Sequence, residues 1–407
     1  MKVSKIHIII MLAFMSLASS CNFLDKEPTS TTSGSYFKCE AEAETFLKGI
    51  YAPLTETSFY GNDYFFLVGG DDLEAYGGPG RSPSTRGLIC NNANSSDPAV
   101  TAFWYTLYVG VNRANIFLEE IDKVPELSTS SAKRLTAEAR FLRAFYYFNL
   151  VQCWGDVPLK TSSTQSVKGL QIARTPKAEI YDFICKEMEE SVDGLKKASE
   201  VGYLPGGLTK SAAWGILARV YMFRAGECYR DNTAPDETVR KEYFTKADTF
   251  AQKVMHEGHT LAPNYWDYFI DQCSDKYNTT GKESIWEAEF TGNYSTDTRT
   301  EGRVGNIIGI QAPDLSTKIE LKGKADPGFV YCLFWSTPKL YELYEANSDK
   351  NRMNWSIAPF SYTQSKTGNG VDGRMFEKGK LQEVKNQYYS KSYSYGDKPS
   401  TSKVGDR

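Results

Sequence analysis

Between residues 100 and 257 the apolar side chains recur at helical spacing in five long segments, and this run constrains the fold more than any other feature. Val100 to Val124 is the first, stopped by Pro125. Ser131 to Trp154 is the second; Leu135, Ala139, Leu142, Tyr146 and Leu150 mark its apolar face, and Gly155 and Pro158 end it. Thr175 and Pro176 read as N-cap and first turn of a third segment reaching about Ala198. Thr209 caps a fourth through Ala225, and Glu237 to Glu257 is the fifth. The second and third segments, and the fourth and fifth, form two helix pairs. Ala139, Ala213, Gly215, Ala218 and Ala247 are the small residues expected where helices cross closely. The fold class expected is mostly α: a right-handed, tetratricopeptide-like helix-pair scaffold with an irregular, loop-rich lobe. The linkers differ in length, so no strict repeat is present.

The regions around these helices read differently. Lys2 and Lys5 precede an apolar run, Ile6 to Ala18, of signal-peptide length and too short to span a bilayer. It ends in Leu17-Ala18-Ser19-Ser20-Cys21, small residues before a cysteine as in a bacterial lipobox. Residues 1–20 are therefore expected to be a lipoprotein signal peptide, Cys21 the lipidated residue, and 21–35 a polar tether; ordinary secretory cleavage is the alternative. A helix begins near Glu40, with Ala43, Phe46, Leu47, Ile50 and Tyr51 on one stripe. Tyr60 to Ala99 has loop chemistry, with Gly69-Gly70 and Gly77-Gly78-Pro79-Gly80. After residue 260, Ser284 to Phe290 alternates like a short strand, Thr337-Pro338 opens a helix to about Ala346, and residues 347–407 lack core periodicity.

The formal charge of −3 gives no basic field for a nucleic-acid partner. Setting Cys21 aside, seven cysteines are scattered with no CxxC spacing, so a zinc ribbon is excluded. Cys153 and Cys185 lie on helical patterns and read as small buried hydrophobes. His256 and His259 lack companions for a metal site and, with His7 gone, leave few bases for a catalytic triad; no metal or other cofactor is expected. Asp71, Asp72 and Glu74 sit in a Gly-rich loop. They are what a glycosidase would use, or they are turn caps binding local backbone. Glu138, Arg140 and Arg143 have the spacing of ion pairs within or between helices. With 26 Tyr and 22 Phe the chain is rich in rings that pack and still offer a hydroxyl. Trp104, Trp154 and Trp214 fall in helical patterns and read as core.

Several segments resemble, in order, the SusD/RagB family of Bacteroidetes nutrient-uptake lipoproteins. They are Cys21-Asn22-Phe23-Leu24-Asp25, Tyr36-Phe37, Gly49-Ile50-Tyr51-Ala52, Gly70-Asp71-Asp72, Asn112-Arg113-Ala114-Asn115, Ala137 to Phe148, Trp154-Gly155-Asp156-Val157-Pro158-Leu159, Arg174-Thr175-Pro176 and Lys282-Glu283-Ser284-Ile285. The resemblance implies a helical scaffold over 36–290 with a ligand-loop insertion at 58–99, and an irregular lobe at 291–407 lacking the family's last helical segment. It implies a non-enzymatic protein, lipid-anchored at the outer membrane and exposed at the cell surface. Its ligand would be an oligosaccharide, passed to a SusC-like TonB-dependent transporter. A surface glycoside hydrolase and a protein-binding repeat scaffold are the alternatives. Sugar rings stack on aromatic planes, and loops on a rigid scaffold supply such planes. Tyr76, Tyr294 and Trp335, each in an irregular stretch, are the candidate ligand-binding residues.

Overall fold

The computed structural model describes residues 37–68, 72–76, 87–230, 236–273, 276–290, 302–308, 331 and 333–357. The helices are α1 (Glu40–Tyr51), α2 (Tyr64–Val68), α3 (Pro98–Glu120), α4 (Thr129–Trp154), α5 (Lys177–Ser191), α6 (Lys210–Arg230), α7 (Glu237–Met255), α8 (Asp267–Cys273), α9 (Val304–Ile308), α10 (Pro338–Ala346) and α11 (Lys350–Ser356). A two-stranded antiparallel ladder joins β1 (Glu74–Tyr76) to β2 (Phe334–Ser336). The mostly helical, paired architecture expected from the sequence is the one observed.

Local chemistry sets the ends of the central helices. Asp97 accepts from the Ala99 N–H at 2.9 Å and Pro98 occupies the first turn of α3. Ser128 accepts from the Ser131 N–H at 3.1 Å to start α4. Gly155, at φ +68, ends α4 while its N–H reaches the Val151 carbonyl. α3 and α4 run antiparallel: Phe103 meets Trp154 with centroids 5.8 Å apart, Tyr108 meets Tyr147 at 6.3 Å, and Arg143 donates to Asn115 at 2.9 Å. A Cβ on Gly110 would collide with the Tyr146 ring, so glycine is what lets α3 close on α4 here. Tyr146 donates to the Ile50 carbonyl at 2.5 Å and ties α1 to the same core.

α4 and α5 pack through charge as well as apolar surface. Arg143 and Glu187 are both buried and paired, Arg140 donates to Glu187 at 2.7 Å and to Glu190 at 2.6 Å, and Asn115 accepts from Arg143. Glu138 accepts from Tyr51 at 2.7 Å and from Arg134 at 2.9 Å. The charges along Ala137 to Phe148 are therefore scaffold ion pairs, as their spacing suggested. The second pair, α6 with α7, meets through Tyr221 stacked on Phe250 at 5.9 Å and Arg224 over the Tyr243 ring at 4.5 Å.

Five expectations are corrected. Thr175 is not the N-cap of α5: its N–H pairs with the Val157 carbonyl at 2.9 Å, so the helix starts after Pro176. That helix also stops at Ser191 and continues as a 3₁₀ turn to Gly194, which lies so close to α4 that a Cβ there would be 2.8 Å from the Lys133 carbonyl. Gly215 is not at a crossing, since no atom lies within 4 Å of where its Cβ would be. Ser284–Phe290 is not in a ladder; its Glu287 N–H bonds the Pro205 carbonyl and Trp286 packs on Phe145 at 5.2 Å. Cys185 is buried but Cys153 is exposed. Beyond α10, Met353 and Ile357 are buried, although residues 347–357 lack core periodicity in the sequence. Trp104, Trp154 and Trp214 pack, partly buried, against the main core.

Candidate functional site

The two irregular stretches that carry the candidate rings meet in space. β1 pairs with β2 in the register Glu74 to Ser336, Ala75 to Trp335 and Tyr76 to Phe334. Flanking contacts extend the clasp: the Thr337 N–H bonds the Leu73 carbonyl at 2.9 Å, the Thr337 hydroxyl donates to the Asp72 carbonyl at 2.7 Å, and Lys339 pairs with the Asp72 carboxylate. Beneath it, Phe66, Tyr76, Ile89, Ile307 and Phe334 form a second apolar cluster. The Leu333 N–H to Ile307 carbonyl bond at 2.7 Å, and Arg303 N–H to Gly61 carbonyl at 3.0 Å, fix α9 to both sides. The clasp thus rests on α2 through Phe66, on Ile89, and by way of α9 on the segment that leads into α2.

Tyr76 is 7% exposed and lies edge-on to Phe66 at 6.0 Å and to Phe334 at 6.2 Å. It is a core ring, which corrects its expected openness to ligand. Pairing with Phe334 turns both residues onto the covered face of the ladder, and this pairing is not written in either local sequence. Trp335 occupies β2 opposite Ala75; its side chain lies outside the described residues, as do Tyr294 and Cys21. Tyr331, just ahead of β2, is 55% exposed. On the scaffold side, Tyr60 and Tyr64 are half-buried against Phe59 and Phe103, and burial pushes both phenols above their usual range. These rings continue through Phe103, Trp154 and Trp104 as one aromatic wall at the N-terminal end of α3.

A further aromatic group was missed from the sequence. Trp266 and Trp355 stack with centroids 5.3 Å apart and planes 17° from parallel, beside exposed Tyr265 and Phe269. The local density of rings in Tyr265-Trp266-Asp267-Tyr268-Phe269 was the signal available for it.

The polar groups nearby are engaged locally. Asp72 holds Lys339, and Glu74 faces Ser336 in the ladder, while Asp71 lies outside the described residues. His256 Nδ1 contacts the Gln252 carbonyl at 2.6 Å and His259 Nδ1 the Lys282 carbonyl at 2.9 Å. Among the described residues no group of three or more His, Cys, Asp or Glu stands in metal-binding array. What the surface offers a ligand is rings and hydroxyls on a rigid support, which suits binding of polyhydroxylated molecules through their apolar faces.

Comparison with known proteins bears on the same chain. A SusD-like family model described as "Starch-binding associating with outer membrane" matches residues 22–222. A SusD-like protein of Formosa agariphila, P2, is 25% identical over 322 residues, covering 76% of this chain and 57% of that protein. The chain spans about half the length of the curated relatives it matches. Among solved structures, a SusD homolog from Bacteroides thetaiotaomicron superposes with a TM-score of 0.70 at 22% identity, covering 94% of this chain and 73% of the other. A laminarin-binding SusD-like protein gives 0.64 at 21% identity, covering 88% and 76%. The helix pairs built around α4, the ordered motifs along it and these likenesses agree: the chain belongs to the SusD/RagB family.

Proposed function

We propose that this protein is a cell-surface lipoprotein that captures an oligosaccharide and delivers it to a TonB-dependent, SusC-like outer-membrane transporter. The observation that carries the reading is the clasp: two ring-bearing irregular stretches, distant in sequence, are held together on a helix-pair scaffold of the family. The family's description as starch-binding and the laminarin-binding neighbour favour a glucan as the first ligand class to test. Binding energy does the work, with no bond broken, and lipidated Cys21 supplies the anchor. Trp335 and Tyr294 are the rings proposed to stack on sugar; exposed Tyr331 precedes β2 in the same stretch, and Tyr76 packs in the cluster beneath the clasp.

Calorimetry with laminarin and starch oligosaccharides tests the site. Trp335→Ala and Tyr294→Ala should each weaken binding by about 5- to 30-fold, equal to roughly 1–2 kcal/mol, with little change in melting temperature. Tyr76→Ala should do the reverse, lowering the melting temperature. Unchanged affinity in both ring variants, or cleavage of the glucan by pure protein, would defeat the proposal. Cys21→Ala should move the protein from the membrane to the soluble fraction, since no described helix is long and apolar enough to cross a bilayer.

A further inference from the structure

The chain between α4 and α5 is held along α3 by a row of contacts, half-buried except at Thr164. Tyr108 donates to the Pro158 carbonyl at 2.7 Å, and Asn115 donates to the carbonyls of Lys160 and Ser162, each at 3.0 Å. Glu119 accepts from the Ser163 N–H at 2.7 Å and its hydroxyl at 2.5 Å, and Asn112 accepts from the Thr164 N–H at 2.8 Å. The strap then turns outward and returns to the Thr175–Val157 bridge. Its outer limb shows water three large apolar side chains: Val167 is 87% exposed, Leu170 57% and Ile172 40%. An isolated exposed apolar residue is ordinary; three on one clamped limb are not. Across 160–174 the charged residues are Lys160, Lys168 and Arg174, with no carboxylate, in a chain whose net charge is −3.

The inner limb of the strap reaches, at Ser163, the end of α3 on which the N-terminal segment packs. Phe37 packs on Phe117 with centroids 5.9 Å apart, and Glu119, which holds Ser163, is two residues further along α3. At ~3.4 Å per residue, the chain from Cys21 to Phe37 can reach at most about 55 Å, so the proposed lipid at Cys21 would hold Phe37 within that distance of the bilayer. Carboxylates do occur at this end. Glu119 is taken by Ser163 and Glu120 by Lys123 at 2.8 Å, while Asp122 and Glu126 are exposed on the turn after α3. They lie on the helix end, and the outer limb of the strap is cationic.

We infer that the 160–174 strap is a second membrane contact: Val167, Leu170 and Ile172 enter the headgroup layer of an anionic lipid surface, and Lys168 and Arg174 meet its phosphates. One lipid chain holds a protein only marginally and reversibly, and a basic, apolar patch is the kind of second element that makes anchoring stable. The inference rests on the proposed membrane tether for its setting, but its test does not use the lipid. The chain from Asn22 to Arg407, which retains every described residue and has no acyl group, is mixed with vesicles of phosphatidylcholine alone or with a third phosphatidylglycerol. Sedimentation should carry wild-type protein down with the anionic vesicles. The triple variant Val167→Ser, Leu170→Ser, Ile172→Ser should lower the partition coefficient about tenfold, as should Lys168→Glu with Arg174→Glu, at unchanged melting temperature. Raised salt should weaken wild-type binding. No sedimentation with either vesicle, equal sedimentation with both, or equal binding by wild type and the triple variant would overturn the inference. Failure of Cys21 lipidation would leave all of these readouts intact.

Discussion

α4 and α7 are both long helices of the scaffold, yet they are held by different means. α4 buries residues on every side, from Leu135 to Val151, including Glu138, Arg143 and Asn149. On α7 only Ala247 is buried, and Phe244 and Met255 face water. A helix covered all round must satisfy its polar groups inside the protein, so its charges come paired and hydrogen-bonded. An outer helix leaves that work to solvent. Contacts that look alike on the two helices therefore differ in what they contribute.

The ion pairs sharpen this most. Glu187→Ala would leave buried Arg143 without its carboxylate, bonded only to the neutral Asn115 amide, while Arg140 keeps Glu190; it should cost about 3 kcal/mol in urea unfolding. Lys246→Ala, which breaks a 3.2 Å pair with Glu189 across half-exposed side chains, should cost at most about 1 kcal/mol. Similar losses for both variants would mean that burial does not separate the two helix pairs.

Glycines give a second comparison, of opposite sign. Gly110→Ala places a methyl against the buried Tyr146 ring and should destabilise by about 1–3 kcal/mol. Gly215→Ala on α6 meets nothing within 4 Å and removes a flexible residue from a helix interior, so it should stabilise by about 0.5–1 kcal/mol. A stabilised Gly110 variant, or a Gly215 variant that melts lower, would contradict the packing described.

The smallest effect concerns pH. Burial raises the Glu138 carboxyl above its ordinary value, against hydrogen bonds from Tyr51 and Arg134 and the Arg134 charge, which lower it. In the window between the unfolded and the raised folded value, the native state binds more protons than the unfolded chain. Its stability therefore falls as pH rises through that window and recovers on mild acidification. Glu138→Gln should flatten this part of the urea-midpoint profile just above the ordinary carboxylate range. Identical profiles for the two proteins would exclude the effect.

How much of this was legible beforehand depended on whether the cause was local. Pro125, Gly155 with Pro158, and the Leu135–Leu150 stripe placed α3 and α4 because caps and periodicity act within a few residues. Thr175 looked like a cap because Thr before Pro usually is one, but a backbone bridge to Val157 claimed it first. Gly110 and Gly215 are indistinguishable in sequence, since each sits in an apolar helix and only the neighbour differs. For Tyr76 the sequence described a Gly-rich loop correctly and still gave no sign that Phe334 would cover it. The site was legible as two stretches of chain and not as individual rings, because exposure is decided by partners far along the chain.

The β1–β2 clasp joins segments separated by more than half the chain. Loop-closure entropy grows only with the logarithm of loop length, so this distance costs modestly at equilibrium. In time it costs more, because contacts of high sequence separation are slow to form. The helix pairs between 98 and 255 are built largely from local contacts and can assemble first. The clasp is then expected to close later, across a scaffold already in place, so the surface it carries takes shape after the helix pairs that support it.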